Sequence, residues 1–189
     1  YGWSKLISEN MILDMAKSDD FNAVILRYFN VAGADMKGRT GQKTKNATLL
    51  IKIACEVATG KRPCLQIYGD DYPTPDGTGV RDYIHVNDLV DAHICALDFL
   101  SKQGKTLIMN CGYGHGSSVL QVVDCVEHVI GEKVNTKISP RRAGDAASVI
   151  ADPNRIQNTL DWVPKYDDLD VIVRSALAWE EKLEGEKQT

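Results

Sequence analysis

Apolar residues recur along the chain with two different spacings, and each spacing predicts a different kind of element. A spacing of three to four residues predicts helices over residues 4–17, 48–59 and 89–100. Runs of β-branched and aromatic residues predict strands over residues 23–29, 65–68, 83–86, 107–111 and 134–138. Because strands and helices alternate along the whole chain, the predicted fold class is α/β.

Polar residues at the ends of the apolar runs predict where the remaining helices begin. Ser117 is placed to cap a helix that runs through residue 130, and Asn87 to cap the helix at 89–100. Asp152 precedes a short helix from residue 153, and Asp168 opens a last helix that ends near residue 183. The first strand, at residues 23–29, is apolar enough to be predicted as buried.

Two segments are too polar or too rich in turn-forming residues to form regular elements. Residues 35–46 form a charged loop, and residues 69–79 hold three Gly, two Pro and three Asp in eleven positions. The aspartates of this second segment lack the spacing of a calcium loop, so they are interpreted as a solvated turn. Nowhere in the sequence does a GxGxxG phosphate loop follow a strand.

Composition narrows the class of protein further. The 189 residues carry a formal net charge of −4, which argues against binding to nucleic acid. No apolar run reaches the length of a membrane span, so no membrane association is expected. The five cysteines lack CxxC spacing, which indicates reduced thiols in a cytoplasmic protein with no metal site. His85 lies within a strand and is interpreted as a packed, hydrogen-bonded histidine.

The segment YGWSK at the start of the chain holds the first candidate for chemistry. Tyr1 and Lys5 stand four residues apart, so on a helix they face the same direction. An ammonium beside a phenol favours the phenolate, which makes such a phenol a better base near neutral pH. The alternative is an ordinary amphipathic helix with a surface lysine and a half-buried tyrosine.

Two longer motifs favour the chemical interpretation of this pair. RYFNVAGA occupies residues 27–34, and IYGDDYPTPDGTGVRDYIHVNDL occupies residues 67–89. Together with YGWSK, these motifs resemble the extended short-chain dehydrogenase/reductase superfamily and, within it, the UDP-glucose (UDP-galactose) 4-epimerases. The resemblance covers essentially the whole chain. The second motif is the more specific of the two.

This resemblance implies an NAD-dependent enzyme that interconverts UDP-glucose and UDP-galactose. Such enzymes oxidise the C4 hydroxyl of the sugar, let the 4-keto sugar turn, and return the hydride to its other face. By their place in the motif, Tyr1 would take the hydroxyl proton and Lys5 would bind the nicotinamide ribose. Phe29 would lie beside the nicotinamide. The protein supplies orientation and proton transfer, and NAD supplies the redox chemistry.

The resemblance also implies which residues contact the UDP-hexose substrate. Near the first strand end these are Tyr28 and Asn30, of which Asn30 would bind the diphosphate. Gln66, Ile67 and Tyr68 would pack on the uracil. The diphosphate and ribose would be bound by Arg81, Arg142 and Asp145. Two alternatives stay open: Arg81 could form a surface salt bridge with Asp82, and Arg142 could belong to a solvated basic turn.

Two positions depart from the pattern of these epimerases. Leu49 stands near the position where they have Asn or His, so it cannot make the expected hydrogen bond to the nucleotide. Val149 stands where some members have a bulky Tyr close to the sugar C2. The smaller side chain leads to the hypothesis that the pocket also admits N-acetylated sugars.

The sequence is expected to be the carboxyl-terminal part of such an enzyme. Residues 1–34 would be the remnant of a Rossmann-like NAD(P)-binding domain. Residues 35–189 would form mainly a smaller α/β substrate-binding domain, with residues 80–100 returning to the Rossmann-like sheet. The chain alone would neither bind NAD nor turn over, and the full-length protein would form a homodimer. The alternatives are a related sugar-nucleotide 4,6-dehydratase or decarboxylase, and a non-catalytic fragment that binds UDP-sugars.

Overall fold

The computed structural model describes residues 1–18 and 20–186 of the chain. Its helices are α1 (Gly2–Ser18), α2 (Leu50–Ala58), α3 (Val86–Gln103), α4 (Val119–Ile130), α5 (Asn154–Thr159) and α6 (Leu169–Gly185). Its strands are β1 (Val24–Tyr28), β2 (Asn30–Ala32), β3 (Leu65–Tyr68), β4 (Val80–Arg81), β5 (Tyr83–His85), β6 (Leu107–Cys111), β7 (Ser117–Ser118), β8 (Thr136–Ser139) and β9 (Ser148–Val149). The predicted α/β class is confirmed.

The strands near the start of the chain pair in parallel with later ones. β1 pairs with β6, and β2 pairs with β5, with Phe29 alone separating β1 from β2. At the junction, the Asn30 N–H donates to the Asp82 carbonyl oxygen at 3.0 Å. The carboxyl end of β2 therefore lies beside the segment that leads into α3, which is where open α/β sheets bind ligands.

Two further sheets contain the remaining strands. β3 and β8 form a parallel pair, and β4 lies between β7, which is antiparallel to it, and β9, which is parallel. The strands β4, β7 and β9 are two residues long, so the sequence offered no apolar run from which to predict them. The proposed division at residue 34 stays a prediction.

The core is one continuous cluster in which α2, α4 and α6 pack beside the strands. Trp162 is buried at its edge, and its indole N–H donates to the Asp88 carbonyl oxygen at 3.0 Å. The Asp88 carboxylate, also buried, accepts from the Tyr113 hydroxyl and from two backbone amides. This network fixes the start of α3 against the segment after Trp162.

Three predicted caps lie one or two residues from the observed ones. His85 caps α3 in place of Asn87, because its imidazole Nδ1 accepts from the Asn87 N–H at 3.1 Å. Ser118 caps α4 in place of Ser117, in a capping box completed by Gln121. Pro153 holds the cap position of α5, and Asp152 instead accepts from the second residue beyond it.

Two boundaries and one burial prediction are also corrected. The strand predicted at 134–138 runs from Thr136 to Ser139, and the helix predicted from residue 48 begins at Leu50. β1 is half-buried to exposed, not buried, since β6 is its one partner strand among the described residues. The helix beside it, α1, buries a single residue, Glu9.

Apolar side chains are therefore exposed on this side of the molecule. On α1 these are Trp3, Leu6, Ile7, Met11 and Met15, and on α3 they are Val90, Ile94 and Leu97. Within the described residues, no helix has both the length and the apolar character that crossing a bilayer requires.

Candidate functional site

A cavity of about 1130 Å³ lies where the parallel strands end. One wall comes from β2 and the first turns of α2 and α3, and the opposite wall comes from β3 and the segment around residues 142–145. Seven of the residues predicted to bind substrate line this cavity: Asn30, Leu49, Gln66, Tyr68, Arg81, Arg142 and Asp145.

Five of these seven side chains form one connected cluster. The Arg142 Nε–H donates to Asp145 Oδ2 at 2.8 Å, and an Arg81 guanidinium nitrogen lies 3.9 Å from Asp145 Oδ1. The Arg142 guanidinium carbon is 4.8 Å from the centre of the Tyr68 ring. The Tyr68 hydroxyl donates to Gln66 Oε1 at 2.7 Å. Two cations, one carboxylate and one aromatic ring thus share one end of the cavity.

The strand pairing explains why residues so distant in sequence meet here. β3 and β8 run in parallel with Tyr68 opposite Ser139, so the segments that follow both strands leave from the same edge. The Gly69 N–H donates to the Ser139 carbonyl oxygen at 2.8 Å and holds those segments together. β4 pairs with β9 beside them, which adds Arg81 to the cluster.

The alternative predicted for Arg81, a salt bridge with Asp82, is not what the structure has. Asp82 is fully buried, and its carboxylate accepts from the backbone N–H groups of Tyr113, Gly114 and Ala151. The side chains of Arg81 and Asp82 therefore have different roles. Asp82 joins β5, β6 and β9 in the core, and Arg81 lies beside Asp145 in the cavity lining.

Leu49 occupies the N-cap position of α2 on the cavity wall and makes no capping hydrogen bond with its side chain. A polar residue at such a position would accept from the free N–H groups of the first turn. That Leu49 makes no hydrogen bond to the nucleotide stays a prediction.

Six predicted site residues lie outside the cavity lining, and Tyr1 and Lys5 are two of them. Ile67 is buried, since alternate residues of β3 face opposite sides and Gln66 and Tyr68 take the open one. Val149 is exposed on β9. Tyr28 is exposed, with its ring centre 6.4 Å from that of His93, and Phe29 is half-buried.

Tyr1 directly precedes α1 and Lys5 lies in its first turn, and the two side chains are neighbours, as the spacing predicts. The Lys5 ammonium nitrogen is 5.3 Å from the centre of the Tyr1 ring, and the Lys5 N–H donates to the Tyr1 carbonyl oxygen at 3.2 Å. Tyr1 is 95% exposed, and neither residue lines the cavity. The helix is attached to β1 through Glu9, which accepts from Arg27 Nε at 2.8 Å.

Sequence reasoning predicted the loop at residues 35–46 but not that it lines the cavity. The Gln42 carbonyl oxygen accepts from the Trp179 indole N–H at 3.1 Å and from the Lys52 ammonium at 3.2 Å. A Cβ on Gly41 would come within 2.6 Å of the Trp179 indole ring, so the loop packs this closely because it has a glycine there. The ammonium of Lys52 also pairs with buried Glu180. A Gly in a charged loop and one Trp in the last helix were the available signals.

His85 is a packed histidine, as predicted. It is fully buried, and its Nε2 lies 3.1 Å from the Ser175 hydroxyl. Burial lowers the pKa of its imidazole, against an opposing effect of Asp88. The 69–79 segment is more ordered than a solvated turn, because Asp76 accepts from the Thr78 N–H and hydroxyl at 2.8 Å. In the part of the chain that the structure describes, His, Cys, Asp and Glu form no group that could hold a metal ion.

Two of the five cysteines, Cys55 and Cys111, are buried, and the other three are half-buried. Burial raises the pKa of Cys55 and of Cys111 to about 12, with nearby carboxylates adding to the effect. Burial likewise raises the pKa of Cys125 to about 11. Thiols with such values hold their protons at neutral pH and are poor nucleophiles.

Known proteins resemble the chain over nearly its full length. Residues 1–112 match the NAD dependent epimerase/dehydratase family. The UDP-glucose 4-epimerase of Azospirillum brasilense is 56% identical over 184 residues, which cover 97% of this chain and 53% of that protein. The UDP-glucose 4-epimerase of Lacticaseibacillus casei is 45% identical over 183 residues, covering 96% of this chain and 55% of that protein.

The fold is similar to that of a crystallised enzyme. UDP-glucose-4-epimerase from Stenotrophomonas maltophila, with bound NAD and formylated UDP-arabinopyranose, matches with a TM-score of 0.94 at 38% identity. That match covers 98% of this chain and 56% of the other. This chain spans about half the length of the curated relatives it matches. Because the family match covers more than half of its residues, the chain belongs to the NAD-dependent epimerase/dehydratase family.

Proposed function

We propose that this chain supplies the UDP-hexose site and the proton-transfer pair of a UDP-glucose 4-epimerase. The observation that carries the proposal is the connected cluster of Gln66, Tyr68, Arg81, Arg142 and Asp145 at one end of the cavity. The likeness to UDP-glucose 4-epimerases supports the same assignment. The reaction is the interconversion of UDP-glucose and UDP-galactose, part of galactose metabolism.

The chemistry of the cluster suits a uridine diphosphate. The guanidinium groups of Arg81 and Arg142 present planar forks that match phosphate oxygens. Tyr68 offers an aromatic face for the uracil, and the Gln66 amide can both donate to and accept from its edge. The Asp145 carboxylate can accept from ribose hydroxyls. Without a ligand, Asp145 instead neutralises the two arginines.

Asn30 lines the same cavity, at the start of β2. Its amide is free of the strand pairing that its backbone makes, so the side chain can donate to the diphosphate. Leu49 beside it offers only apolar contact. We therefore assign diphosphate recognition to the arginines and Asn30, without a polar contribution from position 49.

The residues of this chain fit one end of NAD. Tyr1 and Lys5 are adjacent and open to an approaching nicotinamide ribose, whereas no glycine-rich loop in the sequence fits the pyrophosphate. When bound, NAD supplies the hydride acceptor and donor. Tyr1 holds and moves the proton of the C4 hydroxyl at its phenol oxygen, and Lys5 orients the ribose. We infer that the chain alone does not turn over.

The proposed nucleotide site is tested by titration calorimetry of the chain with UDP, uridine and NAD. We expect UDP to bind, uridine to bind more weakly because it lacks the phosphates, and NAD to show no measurable binding. Equal affinity for UDP and uridine would contradict the diphosphate assignment. Absence of UDP binding would overturn the proposed function.

The proton-transfer pair is tested in the full-length protein with Tyr1→Phe. Loss of the proton acceptor should lower kcat by about 10² to 10⁴, with a much smaller change in the KM for UDP-glucose. Product analysis by NMR separates the chemistries, because an epimerase returns UDP-galactose and a 4,6-dehydratase returns a 4-keto-6-deoxy sugar.

The apolar residues exposed on α1 also fit a homodimer contact. Sedimentation of the full-length protein measures whether it forms a dimer.

A further inference from the structure

Two neighbouring arginines follow β8, and they have different surroundings. Arg142 lines the cavity and contacts Tyr68 and Asp145. Arg141 is outside the cavity lining and turns toward the segment that follows β3. The resemblance to known epimerases and the cavity geometry assign a substrate contact to Arg142 and none to Arg141.

Arg141 is held by three separate contacts with the 69–79 segment. Its Nε–H donates to Asp71 Oδ1 at 2.6 Å, and its terminal nitrogen donates to the Asp71 backbone carbonyl oxygen. Its guanidinium carbon lies 4.1 Å from the centre of the Tyr72 ring, which is buried. Gly69, with a φ of +87°, allows the approach, since a Cβ there would come within 2.6 Å of Arg141 Cγ.

The ion pair by itself would hold the two segments weakly. The side chains are 42% exposed for Arg141 and 70% exposed for Asp71, and exposed pairs of this kind contribute little. The stacking on the buried Tyr72 ring is less sensitive to solvent than the ion pair, and the hydrogen bond to the Asp71 carbonyl oxygen adds a further attachment. All three together fasten the residue next to Arg142 to a loop that is itself ordered by Asp76 and Thr78.

We propose that Arg141 is a positioning residue for diphosphate binding, which acts by fixing the backbone from which Arg142 enters the cavity. The inference rests on the proposed function, because it needs a diphosphate as the ligand of Arg142. Without the anchor, the turn at residues 142–145 would have to be ordered at the moment of binding, and that ordering costs affinity. Arg141 itself touches no substrate.

The test is a double-mutant cycle on UDP affinity, measured by titration calorimetry at fixed ionic strength. We expect Arg142→Gln to weaken UDP binding by about tenfold to a hundredfold, as expected for loss of a charged hydrogen-bond donor. Arg141→Gln should weaken it by roughly three- to tenfold. The double variant should bind UDP no more weakly than Arg142→Gln alone, because Arg141 acts through Arg142.

Two further readouts separate positioning from a general loss of structure. Uridine lacks the diphosphate, so its affinity should be the same for Arg141→Gln and the unsubstituted chain. Arg141→Lys keeps the charge but lacks the planar fork and should recover only part of the UDP affinity. Asp71→Asn breaks the same contact from the other side and should give a smaller loss with the same selectivity for UDP.

Arg174→Gln is the matched control, because Arg174 forms a comparably exposed ion pair with Asp170 on α6, outside the cavity. It should leave the affinities for UDP and uridine unchanged. The inference is overturned if Arg141→Gln binds UDP as tightly as the unsubstituted chain, if uridine loses affinity to the same extent, or if the losses in the double variant add. Failure of the unsubstituted chain to bind UDP would instead overturn the proposed function.

Discussion

The two ends of the proposed active site differ in how much of their geometry this chain determines. At the nucleotide end, Arg142 and Asp145 lie on a turn tied to a parallel strand pair, and Asp82 fastens the neighbouring strands from within the core. At the other end, Tyr1 and Lys5 lie on a helix that buries one residue, Glu9. The first end is enclosed by protein on several sides, and the second is open to solvent.

Nucleotide recognition and proton transfer, as proposed here, therefore depend on this chain to different extents. Recognition of a charged, planar ligand needs several side chains from distant segments, and these are held by contacts within this chain. The Tyr1–Lys5 pair needs only one helical turn to form, because its geometry follows from a spacing of four residues. What a helical turn cannot supply is the position of the pair relative to the nucleotide.

Of the substitutions considered, one at Asp82 is expected to have the largest effect, because it weakens the support of the nucleotide end. Asp82→Asn replaces one carboxylate oxygen with an amide group that faces backbone N–H donors at Tyr113, Gly114 and Ala151. Leaving such buried donors unpaired should lower the free energy of unfolding by about 2–3 kcal/mol. Urea denaturation followed by circular dichroism measures the loss.

Asp98→Asn provides the control for that substitution. Asp98 is exposed on α3 and pairs with Lys102 one turn away, so its replacement should change the unfolding free energy by less than about 0.5 kcal/mol. Equal effects of the two substitutions would show that the Asp82 contacts do not stabilise the nucleotide end.

Much of the nucleotide end could be predicted from sequence, but its supports could not. The resemblance carried by the motif around residues 67–89 indicated Gln66, Tyr68 and Arg81, and with them Arg142 after β8, all of which line the cavity. The part played by Asp82 was missed, since an Asp next to an Arg gives no sign that it accepts from three distant backbone amides. Such partners lie more than thirty residues away along the chain.

The errors in the fold have an equally local cause. The predicted caps at residues 87, 117 and 152 lie one or two residues from the observed ones, and at α4 two serines stand side by side, so that the sequence alone does not select between them. The strand at residues 24–28 was predicted to be buried from its apolar content, which reports what a segment can bury and not what covers it. Only the structure shows that β1 has a single strand beside it among the described residues.

A substitution in α1 tests whether the two ends are held independently. Glu9→Gln removes the charge that pairs with Arg27, whose side chain is 51% exposed while that of Glu9 is 10% exposed. The free energy of unfolding should fall by about 1 kcal/mol, since solvent around Arg27 screens the ion pair and limits the effect. Hydrogen exchange of the α1 amides should become several-fold faster, whereas UDP affinity should not change.

Asp14→Asn is the matched control on the same helix, because Asp14 forms an exposed pair with Lys17. It should leave both hydrogen exchange and UDP affinity as they are. A loss of UDP affinity in Glu9→Gln would contradict the view that the two ends are held independently.

The smallest expected effect is a dependence of stability on pH at His85, which lies between the two ends beneath Gly33. Burial lowers the pKa of this imidazole below its ordinary value of 6.5, and Asp88 opposes the shift without cancelling it. Below that ordinary value the unfolded chain takes up a proton that the folded chain resists. Acidification therefore favours unfolding, and stability rises with pH across this range.

We therefore expect the unfolding midpoint of the chain to fall when the pH is lowered from about 7.5 to about 5.5, a range set by the unfolded imidazole. The fall should be smaller in His85→Gln, where no imidazole must stay neutral. His128→Gln should retain it, because His128 is exposed on α4. Glu9, Asp35 and Glu127, whose carboxylate pKa values are lowered by ion pairs, resist protonation throughout this range and do not contribute. An identical pH dependence in all three proteins would show that burial of His85 is not what couples stability to protons.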